Sequence, residues 1–268
     1  IQTRLGEGGA GISYAEFSYV LIQGYDFLHL FREHGVTLQL CGSDQWGNSI
    51  AGVELIRRVA GGEAHVWSTP LIINRATGKK FGKSEEGAVW LDPAQTTPTQ
   101  FYQFWINVDD EGVEDYLKVY TELAKAEIDA IMEAHTAHRA DRQAQKHLAR
   151  EVTRLVHGDD EMMFAEVVTE YLTGARSVAD ADETILRELR QQIPTISAAA
   201  DGSIVQALVE TGLVTSNTEA RRLLANNAIA INGAKVNREQ FEPEDFAHGR
   251  LMLKKGKKFK DSALVELG

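Results

Sequence analysis

Residues 36–62 read VTLQLCGSDQWGNSIAGVELIRRVAGG, and this stretch decides the fold class. It opens with a β-prone run and turns at GSDQWGN into a helical segment that ends at Gly61 and Gly62. A second extended run, HVWSTPLII, follows at 65–73 and is broken by Pro70. A strand, a helix and a second strand in this order predict part of an α/β unit with a parallel sheet.

A long apolar helix is predicted directly before this stretch, from about residue 13 to 34. It carries Tyr19, Gln23 and Asp26 at the spacing i, i+4, i+7, which places all three side chains on one stripe. The stripe could face water, or it could face a polar ligand. The neighbouring positions are apolar on nearly all sides, which predicts a buried helix, and a buried aspartate needs a partner. We therefore expect the stripe to face a ligand.

Two glycine-containing segments carry the other candidate site residues. In GSDQWGN (42–48), Asp44 could accept from a ribose hydroxyl and Gln45 could reach another polar group, since ligands of α/β sheets bind beyond the carboxyl ends of strands. Alternatively, Ser43 or Asp44 only caps the helix. In GKKFGKS (78–84), the two lysines of KFGK suit a clamp on phosphates, but such a loop can also be merely solvated; it lacks the Walker A spacing.

The composition of the chain limits the classes of function that it can have. The 268 residues carry a net charge of −11, which argues against a general nucleic-acid coat, but residues 203–268 are slightly basic and end in the lysine-rich KKGKKFK. A single cysteine, Cys41, rules out an intrachain disulfide and favours the cytoplasm. The sequence predicts neither a membrane span nor a signal peptide.

The three motifs together resemble one family. The order YxxxQxxD, GSDQWGN and KFGKS resembles bacterial tyrosyl-tRNA synthetase, a class I aminoacyl-tRNA synthetase, with KFGKS at the place of the lysine signature loop. The likeness continues through TPTQFYQFWINVDD, LVHG and ARRLLANNAIAINGAKV, which is similar to an RNA-binding domain of a ribosomal protein. It implies an α/β fold, part of a Rossmann-like catalytic domain, followed by an α-helical domain and a small α+β domain.

The resemblance implies four segments and a role for each site. The segments are the C-terminal part of the catalytic domain (1–95), a helical anticodon-binding domain (96–174), a linker (175–202) and an RNA-binding domain (203–268). The small and acidic residues of 175–202 suggest the linker, with one short helix in it. The implied tyrosine-binding residues are Tyr19, Gln23, Asp26 and Gln45. The implied ATP-binding residues are Gly42, Asp44, Ile72, Ile73, Lys80, Phe81, Gly82, Lys83 and Ser84, of which Lys80 and Lys83 are catalytic. Charge and position suggest RNA contacts by Arg221, Arg222, Lys235, Lys254, Lys255, Lys257 and Lys258.

The implied activity is ATP-dependent formation of tyrosyl-adenylate and transfer of the tyrosyl group to tRNA(Tyr). The partners would be L-tyrosine, ATP with Mg²⁺, tRNA(Tyr) and a second copy of the chain, with no metal held by protein ligands and no membrane. Asp26 would accept from the tyrosine hydroxyl. A site built this way leaves its own carboxylate unpaired when phenylalanine binds, and this family is itself the standard example.

One departure from the family is large. The H-x-G-H signature, which the family carries in the first half of its catalytic domain, does not occur. We therefore expect these residues to be a fragment that by itself binds tyrosine weakly, forms no adenylate and is poorly soluble. The alternative is a non-catalytic RNA-binding protein derived from a synthetase.

Overall fold

A computed structural model of the chain describes residues 11, 13–73, 89–256 and 261–268. The chain divides into two compact units, with the boundary after residue 85. The mixture of helix and sheet agrees with the fold class expected from the sequence, an α/β part followed by helical and α+β parts.

The first unit has the predicted order of strand, helix and strand. Its elements are α1 (Tyr14–His34), β1 (Leu38–Gly42), a 3₁₀ turn (Ser43–Gln45), α2 (Trp46–Leu55), a π-helical turn (Ile56–Ala60) and β2 (His65–Thr69). The two strands pair in parallel, from Leu38 opposite His65 to Gly42 opposite Thr69. The parallel sheet predicted from the sequence is therefore confirmed.

Helix α1 begins and ends where its capping residues allow. The Ser13 hydroxyl accepts from the backbone N–H of Glu16, and the Glu16 carboxylate accepts from the backbone N–H of Ser13, which forms a capping box. The helix stops at Gly35, whose φ of 66° lies in the left-handed region that glycine adopts without strain.

Two glycines let α1 and α2 approach each other closely. A Cβ on Gly52 would lie 2.8 Å from Cδ1 of Phe27 and 3.3 Å from the carbonyl oxygen of Gly24. A Cβ on Gly24 would lie 3.3 Å from the backbone nitrogen of Gly52. The helices therefore touch through backbone at this crossing, and Phe27 packs over it into a core with Leu28 and Ile56.

The expectation that α1 is buried nearly all round is wrong for the described residues. Only Gly24, Phe27 and Leu28 of this helix are buried, whereas the side chains of Leu21 and Ile22 are 60% and 66% exposed. The helix packs on α2 along one side. Apolar composition shows which faces could be buried, but it does not show which of them has a partner.

The second unit contains eight helices and a five-stranded sheet among its described residues. The helices are α3 (Pro98–Ile106), α4 (Val113–Tyr120), α5 (Lys125–Ala137), α6 (Gln143–His157), α7 (Asp159–Thr173), α8 (Glu183–Gln192), α9 (Ile204–Glu210) and α10 (Asn217–Ala225). The strands are β3 (Thr195–Ala198), β4 (Ile229–Ile231), β5 (Ala234–Val236), β6 (Arg250–Lys254) and β7 (Ser262–Leu267), in the spatial order β3-β7-β6-β4-β5. Only the β3–β7 pair is parallel.

Residues 175–202, expected to be a linker, are an integral part of this unit. Helix α8 buries Ile185, Leu186 and Leu189 in the same core as Met252 and Leu264 of the sheet. Strand β3 pairs with β7 and forms an edge of that sheet. The small and acidic residues that suggest a linker lie mostly in the connections, and the short amphipathic helix between them supplies enough apolar surface to join the core.

Among the helices that the structure describes, none combines the length and the apolar composition needed to cross a bilayer.

Replacing Gly52 with alanine should destabilise the first unit by about 1 to 3 kcal/mol, because the added methyl group overlaps Phe27. Gly47 is a matched control in the same helix, since a Cβ there meets nothing within 4 Å. Gly47→Ala should be neutral or stabilising by up to about 1 kcal/mol. Urea denaturation of the two variants and the wild type measures both effects. Equal stability of the two variants would contradict the close crossing.

Candidate functional site

The candidate site of the first unit lies at the carboxyl ends of the two parallel strands. Gly42 ends β1 directly opposite Thr69, which ends β2. The segments that follow, 43–45 and 70–73, therefore leave the sheet from the same edge. A Cβ on Gly42 would lie 3.2 Å from the Leu71 side chain and 2.8 Å from Oδ1 of Asp44, so glycine permits this close packing. Parallel strands place their ligand-binding loops at this edge.

The alternative expectation is that Ser43 or Asp44 caps a helix, and the structure places both inside a 3₁₀ turn rather than at its cap position or that of α2. The 3₁₀ turn and α2 have Gly42 and Gln45 at their cap positions, and neither makes a side-chain cap hydrogen bond within the described residues. Asp44 instead accepts a long hydrogen bond of 3.4 Å from Nε2 of Gln45.

Asn48 joins the two motifs that the sequence singled out separately. Its Nδ2 donates to Oε1 of Gln23 on α1 at 3.1 Å and to Oε1 of Gln45 at 3.0 Å. Asn48 is not among the site residues predicted from the sequence, although it lies three residues after Gln45, a spacing that places two side chains on the same face of a helix. That spacing is the signal that could have found it.

Tyr19 and Asp26 share the face of α1 that carries Gln23, but both are exposed. The Tyr19 side chain is 58% exposed, and within the described residues neither its hydroxyl nor the Asp26 carboxylate has a hydrogen-bond partner. The first unit therefore links Gln23 to Gln45 and leaves Tyr19 and Asp26 accessible on the same stripe.

The remaining nucleotide-binding candidates divide into two groups. Ile72 is half-buried and Ile73 is 46% exposed, three and four residues after the end of β2. The lysine loop lies outside the described residues, and this applies to Lys80, Phe81, Gly82, Lys83 and Ser84. No group of three or more His, Cys, Asp or Glu side chains in the described part of the chain could hold a metal ion.

Three of the candidate RNA contacts are exposed on the second unit. Arg222 on α10 and Lys235 on β5 are exposed, and within the described residues neither has a hydrogen bond or an ion pair through its side chain. Arg221 forms an exposed ion pair with Glu239 at 3.1 Å. Lys257 and Lys258 lie outside the described residues.

Lys254 and Lys255 are bound to backbone carbonyls instead. Nζ of Lys254 donates to the carbonyl oxygens of Leu172 and Thr173 at 3.1 and 3.2 Å, at the carboxyl end of α7. A cation at this end of a helix is favourable, because the last carbonyls lack partners within the helix. Burial lowers the pKa of the Lys254 ammonium below its ordinary value. Nζ of Lys255 donates to the carbonyl oxygen of Leu213.

The fold is that of an α/β part with a parallel strand pair, followed along the chain by helical and α+β parts. Residues 1–172 match the family model described as tRNA synthetases class I (W and Y), and residues 186–260 match the tyrosine–tRNA ligase SYY-like C-terminal domain. The chain therefore belongs to the tyrosyl-tRNA synthetase family of class I.

Two curated relatives have names that agree with this assignment. The chain is 45% identical over 267 residues to a tyrosine–tRNA ligase of Streptomyces griseus, with 98% of this chain and 62% of the relative covered. It is 46% identical over 261 residues to one of Leifsonia xyli, with 96% and 59% covered. A crystal structure of a C-terminally truncated Aspergillus nidulans mitochondrial tyrosyl-tRNA synthetase aligns at 32% identity and a TM-score of 0.49, covering 60% of this chain and 46% of that one. The chain thus spans about three fifths of the length of these curated relatives.

Replacing Lys254 with methionine should destabilise the second unit by about 1 to 2 kcal/mol, because two helix-terminal carbonyls lose their donor. Lys235→Met is the matched control, since that side chain is exposed and its loss should change the free energy of unfolding by less than about 0.5 kcal/mol. Thermal and urea unfolding of both variants tests this. If Lys254→Met were as stable as Lys235→Met, Lys254 would not stabilise the end of α7.

Proposed function

We propose that this chain carries part of a tyrosine–tRNA ligase, which activates L-tyrosine with ATP and transfers the tyrosyl group to tRNA(Tyr). One observation carries the proposal beyond family membership. Asn48 links Gln23 of the tyrosine stripe to Gln45 of the GSDQWGN segment, so two of the expected tyrosine-binding groups lie together beside the segment that also carries the ribose candidates Gly42 and Asp44.

The tyrosine end of this site lies on α1. Asp26 would accept from the phenolic hydroxyl, and Tyr19 and Gln23 would bind the α-amino group. The exposure of Tyr19 and Asp26 supports this assignment, since a binding wall must be accessible to its ligand. The side-chain oxygen of Gln23, Oε1, has two lone pairs, so it can accept from an ammonium group while it accepts from Asn48.

The nucleotide end lies at the carboxyl ends of the strands. Gly42 and Asp44 would hold the ribose, and Ile72 and Ile73 would lie against the adenine. Support comes from the parallel register, which brings both segments to one edge. Phe81, Gly82 and Ser84 of the lysine loop would bind the nucleotide phosphates together with its two lysines.

The proposed reaction has two steps. The tyrosine carboxylate attacks the α-phosphorus of ATP, bound as its magnesium complex, and pyrophosphate leaves. The terminal ribose hydroxyl of the tRNA then attacks the carbonyl of the adenylate, and AMP leaves. Lys80 and Lys83 would stabilise the charge that develops on the pyrophosphate, and Gln45 would orient the carboxylate, so catalysis would depend on positioning and electrostatics.

The second unit would bind tRNA(Tyr). Arg222 and Lys235 are its best candidates for phosphate contacts, because both are exposed and unpaired among the described residues. Lys254 and Lys255 are weaker candidates, because their ammonium groups already bind carbonyls.

A homodimer and a cytoplasmic location complete the proposal. Tyr14, Phe17, Leu21 and Tyr25 form an exposed apolar stripe along α1, and homodimers bury surfaces of this kind. The single cysteine supports a reducing compartment.

The activity test is tyrosine-dependent exchange of pyrophosphate into ATP, measured on the protein as its gene encodes it. Asp26→Ala should lower the preference for tyrosine over phenylalanine by about 10- to 100-fold, because a hydrogen bond to a charged group is lost. Unfolding stability should stay within about 0.5 kcal/mol of the wild type, since Asp26 is exposed. Glu33→Ala, which removes another exposed carboxylate of α1, should leave the preference unchanged.

The outcomes of this test separate the alternatives. A loss of stability with unchanged preference would make the stripe structural. A wild-type protein that binds tRNA but catalyses no exchange would instead be a non-catalytic RNA-binding protein.

Binding of tRNA(Tyr) should depend on Arg222 and Lys235 through charge. Arg222→Met and Lys235→Met should each weaken binding and lower the slope of log affinity against log salt concentration by about one. Lys254→Met should keep the wild-type slope, because its ammonium group binds α7. Filter binding at several salt concentrations measures all three. A reduced slope for Lys254→Met alone would reverse the assignment.

A further inference from the structure

The half-buried Asn48 uses both hydrogens of its side-chain amide. One Nδ2 donates to Oε1 of Gln23 and to Oε1 of Gln45, at 3.1 and 3.0 Å, and an amide nitrogen has two hydrogens to give. Both glutamine oxygens therefore face Asn48, and both glutamine NH₂ groups face away from it.

This arrangement decides what the glutamines offer to a ligand. Nε2 of Gln45 has one long contact of 3.4 Å, to Oδ2 of Asp44, which leaves its second hydrogen available. Nε2 of Gln23 has no hydrogen-bond partner in the described part of the chain. A side-chain amide has nearly the same shape in either orientation, but turning it over replaces a donor with an acceptor. A carboxylate or phosphate oxygen requires the donor.

The position of Asn48 is itself fixed by the helix crossing. Asn48 lies one helical turn before Gly52, and Gln23 is the neighbour of Gly24, so the backbone contact of α1 with α2 brings the two side chains within hydrogen-bond distance. Asn48 thus acts from a packed helix, which suits a group that must hold others in place.

We propose that Asn48 is a positioning residue that orients Gln45 so that its N–H faces an anionic ligand group. This inference rests on the proposed function, in which that group is the tyrosine carboxylate and then the α-phosphate of the adenylate. Asn48 orients the amide without itself touching the substrate, and it anchors Gln45 to Gln23 on the other helix.

A double-mutant cycle in the protein as its gene encodes it tests the inference. Asn48→Ala, Gln45→Ala and the double variant are compared by pyrophosphate exchange. Asn48→Ala should raise the KM for tyrosine about three- to tenfold, the effect of one neutral hydrogen bond. In the Gln45→Ala background the same change should raise the KM less than about twofold, because the residue that it orients is gone.

Competitive inhibition by tyramine separates positioning from general damage. Tyramine keeps the phenol and the amine but lacks the carboxylate. In Asn48→Ala, Gln23 loses its hydrogen bond to Asn48 but can still turn its side-chain oxygen toward the amine of tyramine. The inhibition constant of tyramine should therefore change less than about twofold in Asn48→Ala. Asn48→Asp, which can accept but not donate, should raise the tyrosine KM more than Asn48→Ala does.

Asn107→Ala serves as the control variant. Asn107 is another asparagine with a bonded side-chain amide, which donates to the carbonyl oxygen of Gln103 at 2.6 Å in the second unit. Asn107→Ala should leave the tyrosine KM unchanged. The inference is overturned by equal rises in the tyrosine KM and the tyramine inhibition constant, by an equal effect of Asn48→Ala in both backgrounds, or by a wild-type KM in Asn48→Asp. A wild-type protein without exchange would overturn the proposed function instead.

Discussion

The contact between the backbones of α1 and α2 at Gly24 and Gly52 is the constraint on which the candidate site depends. Without side chains at these two positions, the helices approach until Phe27 packs over Gly52. That approach places Gln23 within 3.1 Å of Asn48 and so connects the two motifs. Close-packed interiors transmit such constraints because they cannot deform continuously. A change in helix spacing would therefore alter the site, even though neither glycine contributes a functional group to it.

The second unit depends on polar contacts that join its helices to its sheet. Lys254 of β6 caps α7, and Arg190 of α8 forms ion pairs with Glu183 at 2.6 Å and with Glu266 of β7 at 2.7 Å. A shared apolar core lies beneath these contacts. The exposed ion pairs contribute little stability by themselves, and most of it comes from the buried apolar surface. Together, the polar contacts and the core hold two parts of the chain in the packed fold. These are residues 175–202, expected to be a linker, and Lys254, expected to contact RNA.

Much of the local structure could be predicted from the sequence because it follows from local rules. The helix predicted from about residue 13 to 34 runs from Tyr14 to His34, between the cap residues Ser13 and Gly35. The order of strand, helix and strand correctly predicted a parallel pair. Exposure could not be predicted in the same way, because it depends on which faces meet a partner. Leu21 and Ile22 illustrate this limit, since both are apolar and both are exposed. Lys254 illustrates the reverse, since a lysine in a basic run turned out to be half-buried against a helix end.

The sequence by itself determined the strand, helix and strand of the first unit, the parallel pairing of those two strands and the motifs that identify the family, because periodicity and motif order are properties of neighbouring residues. Only the tertiary structure decided that Gln23 and Gln45 share Asn48, that β3 completes the sheet, and that Lys254 binds α7. The physical reason is that the Gln23–Asn48 bond, the β3–β7 pairing and the contact of Lys254 with α7 each join residues distant along the chain. Their geometry is set by how closely the elements pack, and no local pattern encodes that distance.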